Sequence, residues 1–419
     1  MIWIKFNTGV QMDQVTTLRR SADMQNSVAQ GAEPVDFATL TDQPAFVALL
    51  EAIRARRDDI QTLRHVPRDI IDLMKAARIF RSATPTKFGG DAMAPHHFLK
   101  MVEKIGEADG SSAWVAAFGS ANTYIAALPE EAQAVIYADG PDQVYAGGLY
   151  PLQEAERVEG GWKVSGRWKF ASGCMGADWI GVGIIGNDAV VKASEGLPPE
   201  VLMAVAPASE IEIIETWDVM GMQGTGSHDT QVKDRFFPDM WTCKRGTPGI
   251  FDEPLYRYPP LAYQAQVHAA CNLGLARAAL DLATEMSGGA KLMPGAPRLA
   301  SRAYFRTGLA EGEAKLRAAR AFYYEMAEKA WDELLAGDEV SLETNNLMRL
   351  SASHAARAAA DTIQTCYRIV GMAAIAETHR MQRILRDCLV VTQHAALNDL
   401  TMEHAGAVLA GMPAPAGYP

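Results

Sequence analysis

Residues 165–173 read Ser-Gly-Arg-Trp-Lys-Phe-Ala-Ser-Gly, and within them Trp168, Phe170 and Ser172 alternate. On an extended strand, alternate residues share one face. That face offers two aromatic rings and then a hydroxyl. A planar redox ring needs such a surface: aromatic cover, and a hydrogen bond at its reactive edge. An ordinary sandwich strand that buries its aromatics in a core fits the same pattern, and the segment alone leaves both open.

Other chemistry is harder to place. The five cysteines (174, 243, 271, 366, 388) are scattered, and no pair has zinc or C-x-x-C spacing. They read as reduced cytoplasmic thiols engaged in packing. The nine histidines show no ligand pattern, and the adjacent His96 and His97 cannot share a helix face. No metal site is therefore expected. No G-x-G-x-x-G opens a βαβ unit and no phosphate-binding P-loop occurs, so the nucleotide-fold readings fail. A net charge of −11 argues against nucleic acid and anionic membranes as partners. No apolar run approaches the roughly 18 residues of a membrane helix. Residues 1–12 lack the apolar core and cleavage site of a signal peptide, and read either as the native start or as an over-extension of it.

The elements that must position these residues fall into three blocks. With 419 residues the chain is too long for one ordinary core. Phe46, Leu49, Leu50 and Ile53 mark a helix by their spacing, and Ile70, Ile71, Met74 and Ala77 line another that opens at Val66-Pro67. Further helices are expected from Pro95 to Glu107 and from Ser111, with serine as the cap. Residues 36–142 form this N-terminal helical block. Between 143 and 240, short β-rich segments (143–150, 162–170, 178–184, 201–206, 230–236) are divided by turn residues, as in a sandwich or barrel. From 241 to 419, Ala-rich helical patterns at about 262–287, 298–336, 341–371 and 378–407 predict a four-helix bundle. The fold class is α+β.

This order resembles the acyl-CoA dehydrogenase superfamily over about residues 40–410. Four segments carry the resemblance: Phe88-Gly89-Gly90; the strand from Ser165 to Gly173; the run Trp217 to Asp229, with Thr225-Gly226-Ser227 inside it; and Arg383 to Asp387 followed by Gln393-His394. Within the superfamily the chain looks most like the flavin-dependent monooxygenase branch, the oxygenase components of two-component aromatic hydroxylases. Two absences favour that branch. A dehydrogenase needs a carboxylate base for the substrate α-proton. Neither place where the superfamily keeps one has an acid here: 390–396 reads Val-Val-Thr-Gln-His-Ala-Ala, and 263–272 has none either.

The resemblance implies an oxygenase that takes reduced flavin, FMN or FAD, from a separate NAD(P)H:flavin reductase. One oxygen atom of O2 would pass from a flavin hydroperoxide to a small aromatic or heteroaromatic substrate, indole-like or phenolic. Ser172 would bond the flavin edge, and His394 would supply or accept a proton. Trp168, Phe170, Gly173, Thr225, Gly226 and Ser227 are expected to contact the cofactor. The rival roles are core packing for Trp168 and Phe170, and a glycine-rich turn for 225–227. His228 and Asp229 are expected to serve that turn, and Arg386 and Asp387 to pair or cap. Asn122 stands where phenol hydroxylases of the branch carry a histidine against the substrate oxygen. It can hydrogen-bond but cannot act as a base. With Gly147 and Gly148 where those enzymes have serines, this favours an electron-rich ring or a soft sulfur centre over a phenol. A cytoplasmic homotetramer is implied as well. An atypical acyl-CoA dehydrogenase and a non-catalytic flavoprotein-like scaffold are the alternatives.

Overall fold

The computed structural model describes residues 36–186, 200–288, 297–415, 417 and 418. Residues 1–12, whose nativeness was in question, lie outside these. The chain divides into compact units Met1–Ala38 and Thr39–Pro419, and the second carries all that follows.

The helical block behaves as its periodicity predicts. Helix Pro44–Ala55 buries Phe46, Leu49, Leu50 and Ile53. Helix Arg68–Ala76 starts behind Pro67 and buries Ile70, Ile71 and Met74. Helix Pro95–Ala108 leads directly into helix Gly110–Ala117. The cap of the latter is not a serine. Asp109 accepts from both the backbone N–H and the hydroxyl of Ser112 at 2.8 Å. A carboxylate satisfies two donors of the first turn where a serine satisfies one.

Among the described residues seven strands follow: β1 Tyr145–Val158, β2 Gly161–Ala171, β3 Trp179–Gly186, β4 Val201–Pro207, β5 Glu212–Ile214, β6 His228–Pro238 and β7 Thr242–Lys244. They form one sheet in the order β5-β6-β2-β1-β3-β4-β7. Of these pairings β1–β3 is parallel and the others are antiparallel. All five expected β segments become strands. The two missed, β5 and β7, have three residues each, too few to show alternation. β7 pairs with β4, so the sheet continues past position 240. Its core draws Ala155 from β1, Val164 and Trp168 from β2, Ile180 and Val182 from β3, Ala204 from β4 and Phe237 from β6. Strands that are not neighbours thus share one core, which requires the sheet to curl on itself.

Helices resume with Pro260–Ser287, Ala303–Leu335 and Leu342–Val370. The fourth expected helix, 378–407, is broken into Arg380–Val391 and Asp399–Leu409. Two side-chain caps fill the break: His394 starts a short 3₁₀ turn, Ala395–Leu397, by accepting from Ala396 N–H, and Asn398 starts the second helix by accepting from Leu400 N–H. The intervening residues contain no proline or glycine, so periodicity runs through a break that caps create. Helix Pro260–Ser287 lies against Pro95–Ala108 at backbone distance. A Cβ at Gly274 would sit 2.1 Å from the Glu103 carbonyl oxygen, so only glycine fits. No described helix is long and apolar enough to cross a membrane.

Candidate active site

Trp114 is where the elements converge. Helix Gly110–Ala117 carries it, and it is 8% exposed. Its Nε1–H donates to Ser172 Oγ at 3.1 Å, just beyond the end of β2. Its ring lies 4.2 Å from that of His268, on the first bundle helix. The His394 ring stands edge-on to it at 5.5 Å. Phe118 closes the other side, 6.4 Å from His268.

Ser172 heads a chain of hydroxyls whose direction follows from valence. Thr225 Oγ1 donates to the Met222 carbonyl at 2.9 Å. Its one hydrogen is thereby used, so its 2.7 Å contact with Ser227 Oγ makes Ser227 the donor. Ser227 can then only accept from Ser172, 2.6 Å away. Trp114 thus donates to Ser172, Ser172 to Ser227, Ser227 to Thr225, and Thr225 to a carbonyl. One lone pair of Ser172 Oγ is left over.

The two histidines are fixed as opposite tautomers. His268 Nδ1 lies 2.6 Å from the Gln264 carbonyl, which can only accept, so Nδ1 carries the proton and Nε2 a lone pair. His394 Nδ1 accepts from Ala396 N–H at 3.3 Å, so its proton sits on Nε2. The rings stack at 4.1 Å. Both are neutral near pH 7. Burial, then the neighbouring His394, holds His268 well below the usual imidazole range. Burial alone lowers His394 to about 4.

Hydrogen bonds join Ser172, Ser227 and Thr225, and His394 meets the Trp114 ring that donates to Ser172. Gly173 adjoins them with φ +75° and donates its N–H to the Thr225 carbonyl. Gly226 has φ +55°, and a Cβ there would meet the His65 Cβ at 2.9 Å; it lets the turn pack against a helix end. His228 serves this turn: its Nδ1 accepts from the backbone N–H of Thr216 and Trp217, both at 3.1 Å. Asp229 pairs with Arg167. Asp387 takes the Met222 N–H at 2.5 Å and so braces the carbonyl end of the hydroxyl chain. Burial, then Asp109, raises Asp387 to about 7.

Three expectations change. Trp168, Phe170 and Ser172 do not share a face. The β2–β6 register shifts between Trp168 and Ala171, and Phe170 adopts φ +63°. This bulge turns alternate side chains apart. Trp168 sinks into the sheet core and donates to the Gly183 carbonyl at 2.7 Å, so it offers no ring to a cofactor. Phe170 swings outward, 63% exposed, and meets Trp217 edge to face at 6.3 Å. Asn122 does not present its amide to a substrate. It is 1% exposed, and its Nδ2 is held by the Phe80 and Gln143 carbonyls and Thr84 Oγ1. It ties the helical block to the start of the sheet. In exchange, His268 enters the site unannounced. Its one signal is that Gln264, His268 and Asn272 recur every four residues along an otherwise apolar helix.

These residues fit a flavin edge. Ser172 keeps a lone pair for a ring N–H, and two residues before it Phe170 is an exposed aromatic ring set against the half-buried Trp217.

Residues 266–399 match the family model "Acyl-CoA dehydrogenase, C-terminal domain". Indole-3-acetate monooxygenase of Pseudomonas putida is 45% identical over 91% of this chain and 97% of its own length. The chain is a flavin-dependent monooxygenase, of the oxygenase-component type. The oxygenase subunit HsaA of a flavin-dependent monooxygenase from Rhodococcus jostii is 28% identical over 83% of the chain and 92% of its own length. The crystal structure of 3-HSA hydroxylase from Rhodococcus sp. RHA1 superposes with a TM-score of 0.81 at 26% identity, covering 89% and 98% of the two chains. The oxygenase therefore uses reduced flavin and O2 on an aromatic substrate, and draws the flavin from a separate reductase.

Proposed function

We propose that this oxygenase hydroxylates indole-3-acetate or a close indole relative, with NAD(P)H reducing the flavin on its partner reductase. The observation that carries the proposal is the neutral histidine pair stacked against Trp114, the residue that donates to Ser172. Such a site is poor at ionising a phenol and suits a ring that is already electron-rich. The 45% identical relative bears the name of an enzyme for that substrate.

The overall balance is ring C–H plus O2 plus reduced flavin to ring C–OH plus water plus oxidised flavin. Reduced flavin, when bound, supplies the two electrons. Ser172 Oγ offers its remaining lone pair to the flavin edge, and Trp114 and Ser227 stop its hydroxyl from turning. His394 would donate a hydrogen bond from Nε2–H to the oxygen that leaves as water, and the two protons of that water are those given up by the reduced flavin. Trp114 and Phe118 exclude water from the reacting pair. The exposed Phe170 and the half-buried Trp217 supply aromatic cover, with Gly173, Thr225 and Gly226 shaping the rim. Five free thiols support a cytoplasmic location, and the Ala-rich bundle supports a homotetramer, which sedimentation would check.

The test is a single turnover. The chain is loaded anaerobically with reduced FMN or FAD, mixed with O2 and indole-3-acetate, and the product is weighed. One added oxygen atom per flavin is expected, and no NAD(P)H oxidation without a reductase. Flavin binding with release of hydrogen peroxide only, across indoles, would sink the substrate proposal.

A further inference from the structure

His268 is buried at 4% exposure within an apolar helix, between Trp114, Phe118 and His394. Its Nδ1–H is committed to the Gln264 carbonyl. Its Nε2 makes no hydrogen bond among the described residues. Nε2 is not one of the side-chain atoms sealed from solvent, so this lone pair of an otherwise buried ring faces space where something in the functional state can complete it. The protein groups around it cannot do so. Trp114 has one N–H, and it goes to Ser172. The His394 proton sits on Nε2 in a ring stacked on His268, a geometry that brings faces rather than edges together.

We propose that His268 Nε2 is the acceptor for the ring N–H of the substrate, and that it, rather than Asn122, sets the selectivity for N–H heteroaromatics. This rests on the indole proposal above and deepens it. The opposite tautomers give the assignment its chemistry. His268 presents only a lone pair and His394 only an N–H, so the pair offers one acceptor and one donor without either ring changing its proton. A ring with an N–H fills the first. An oxygen or sulfur heterocycle of the same shape presents a lone pair to a lone pair and leaves the imidazole uncompleted. Such a site rejects the analogue more strongly than size alone allows. His268 here acts as a selectivity residue that touches substrate, and no proton needs to leave the ring nitrogen through it.

The experiment is a binding measurement and does not depend on turnover. Dissociation constants of indole-3-acetate and benzothiophene-3-acetate are measured for the chain loaded with reduced flavin under anaerobic conditions. The wild-type protein is expected to prefer the N–H compound by about tenfold or more, the equivalent of one buried hydrogen bond. H268F should bring the two within about threefold, mainly by weakening indole-3-acetate. H268Q, whose Oε1 can accept, should restore part of the preference. Equal binding of the two by the wild-type protein overturns the inference by itself, even if H268F does not fold. A preference that survives in folded H268F or H268L overturns it too. If indole-3-acetate does not bind at all, the substrate proposal fails. The same comparison then uses indole and benzothiophene, and equal or absent binding of both rejects the role of His268.

Discussion

Replacing Ser172 by alanine tests the hydrogen bond that heads the hydroxyl chain. The substitution removes the acceptor of Trp114 Nε1–H, which is 3.1 Å away and buried. A buried donor left unpaired costs about 1–3 kcal/mol. Ser227 loses only an incoming hydrogen, because its own O–H already points to Thr225. Its share is therefore small. S172A should lower the unfolding free energy by about 1–3 kcal/mol in urea titrations. In a W114F background the stranded donor no longer exists, and the same change should cost only about 0.5 kcal/mol. The double-mutant cycle should thus show a coupling near 1 kcal/mol or above. A second readout is chemical. Without the lone pair at the flavin edge, the peroxide released per flavin oxidised should rise about tenfold relative to product, the effect of one hydrogen bond. Additive costs in the cycle, with S172A equally harmful in both backgrounds, would refute the Trp114–Ser172 hydrogen bond that heads the chain. Unchanged coupling of oxygen to product would refute the role at the flavin edge.

Three further outcomes are expected. W168A should cost about 3–5 kcal/mol of stability as a core cavity, whereas F170A should leave stability nearly intact and weaken reduced-flavin binding about two- to tenfold by fluorescence titration. N122A strips the Phe80 and Gln143 carbonyls of their donor and should cost about 1–3 kcal/mol, with the KM for the aromatic substrate unchanged in the folded fraction. His394 is lowered from 6.5 to about 4 by burial. Its contribution is present above pH 6.5 and is lost as pH falls through 4. H394F should flatten the acid limb of the stability profile in that window, by about 3 kcal/mol at its foot.

Much of this protein is legible from its amino acids, and the misses share a cause. The spacing of Phe46, Leu49, Leu50 and Ile53 reads out directly as a buried helix face, because one local period decides it. Ser172 and His394 are separated by more than two hundred residues, and the family resemblance brought both forward. The failures are tertiary. The bulge at Phe170 leaves the alternation of residue types intact while reversing what one of them faces. The break before His394 arises from two side-chain caps inside an unbroken helical period. His268 carries no motif, and only its contacts with Trp114 and His394 reveal it. Asn122 stands at a position that suggests substrate contact, yet it is buried and its Nδ2 is held by backbone carbonyls that no local pattern announces.

The hydroxyl chain ends on the backbone carbonyl of Met222, which has no proton to give and none to pass on. A proton wire needs a titratable or water-linked terminus, and this one is blind. Each O–H can turn only if every member turns with it, and turning the last gives up its bond to the Met222 carbonyl. Ser172 is in this sense insulated: it can steady charge at the flavin edge without becoming a leak through which protons escape. The imidazoles meet this chain through ring contacts with Trp114 and not through its hydroxyls, so what His394 donates on the substrate side does not run through Ser172.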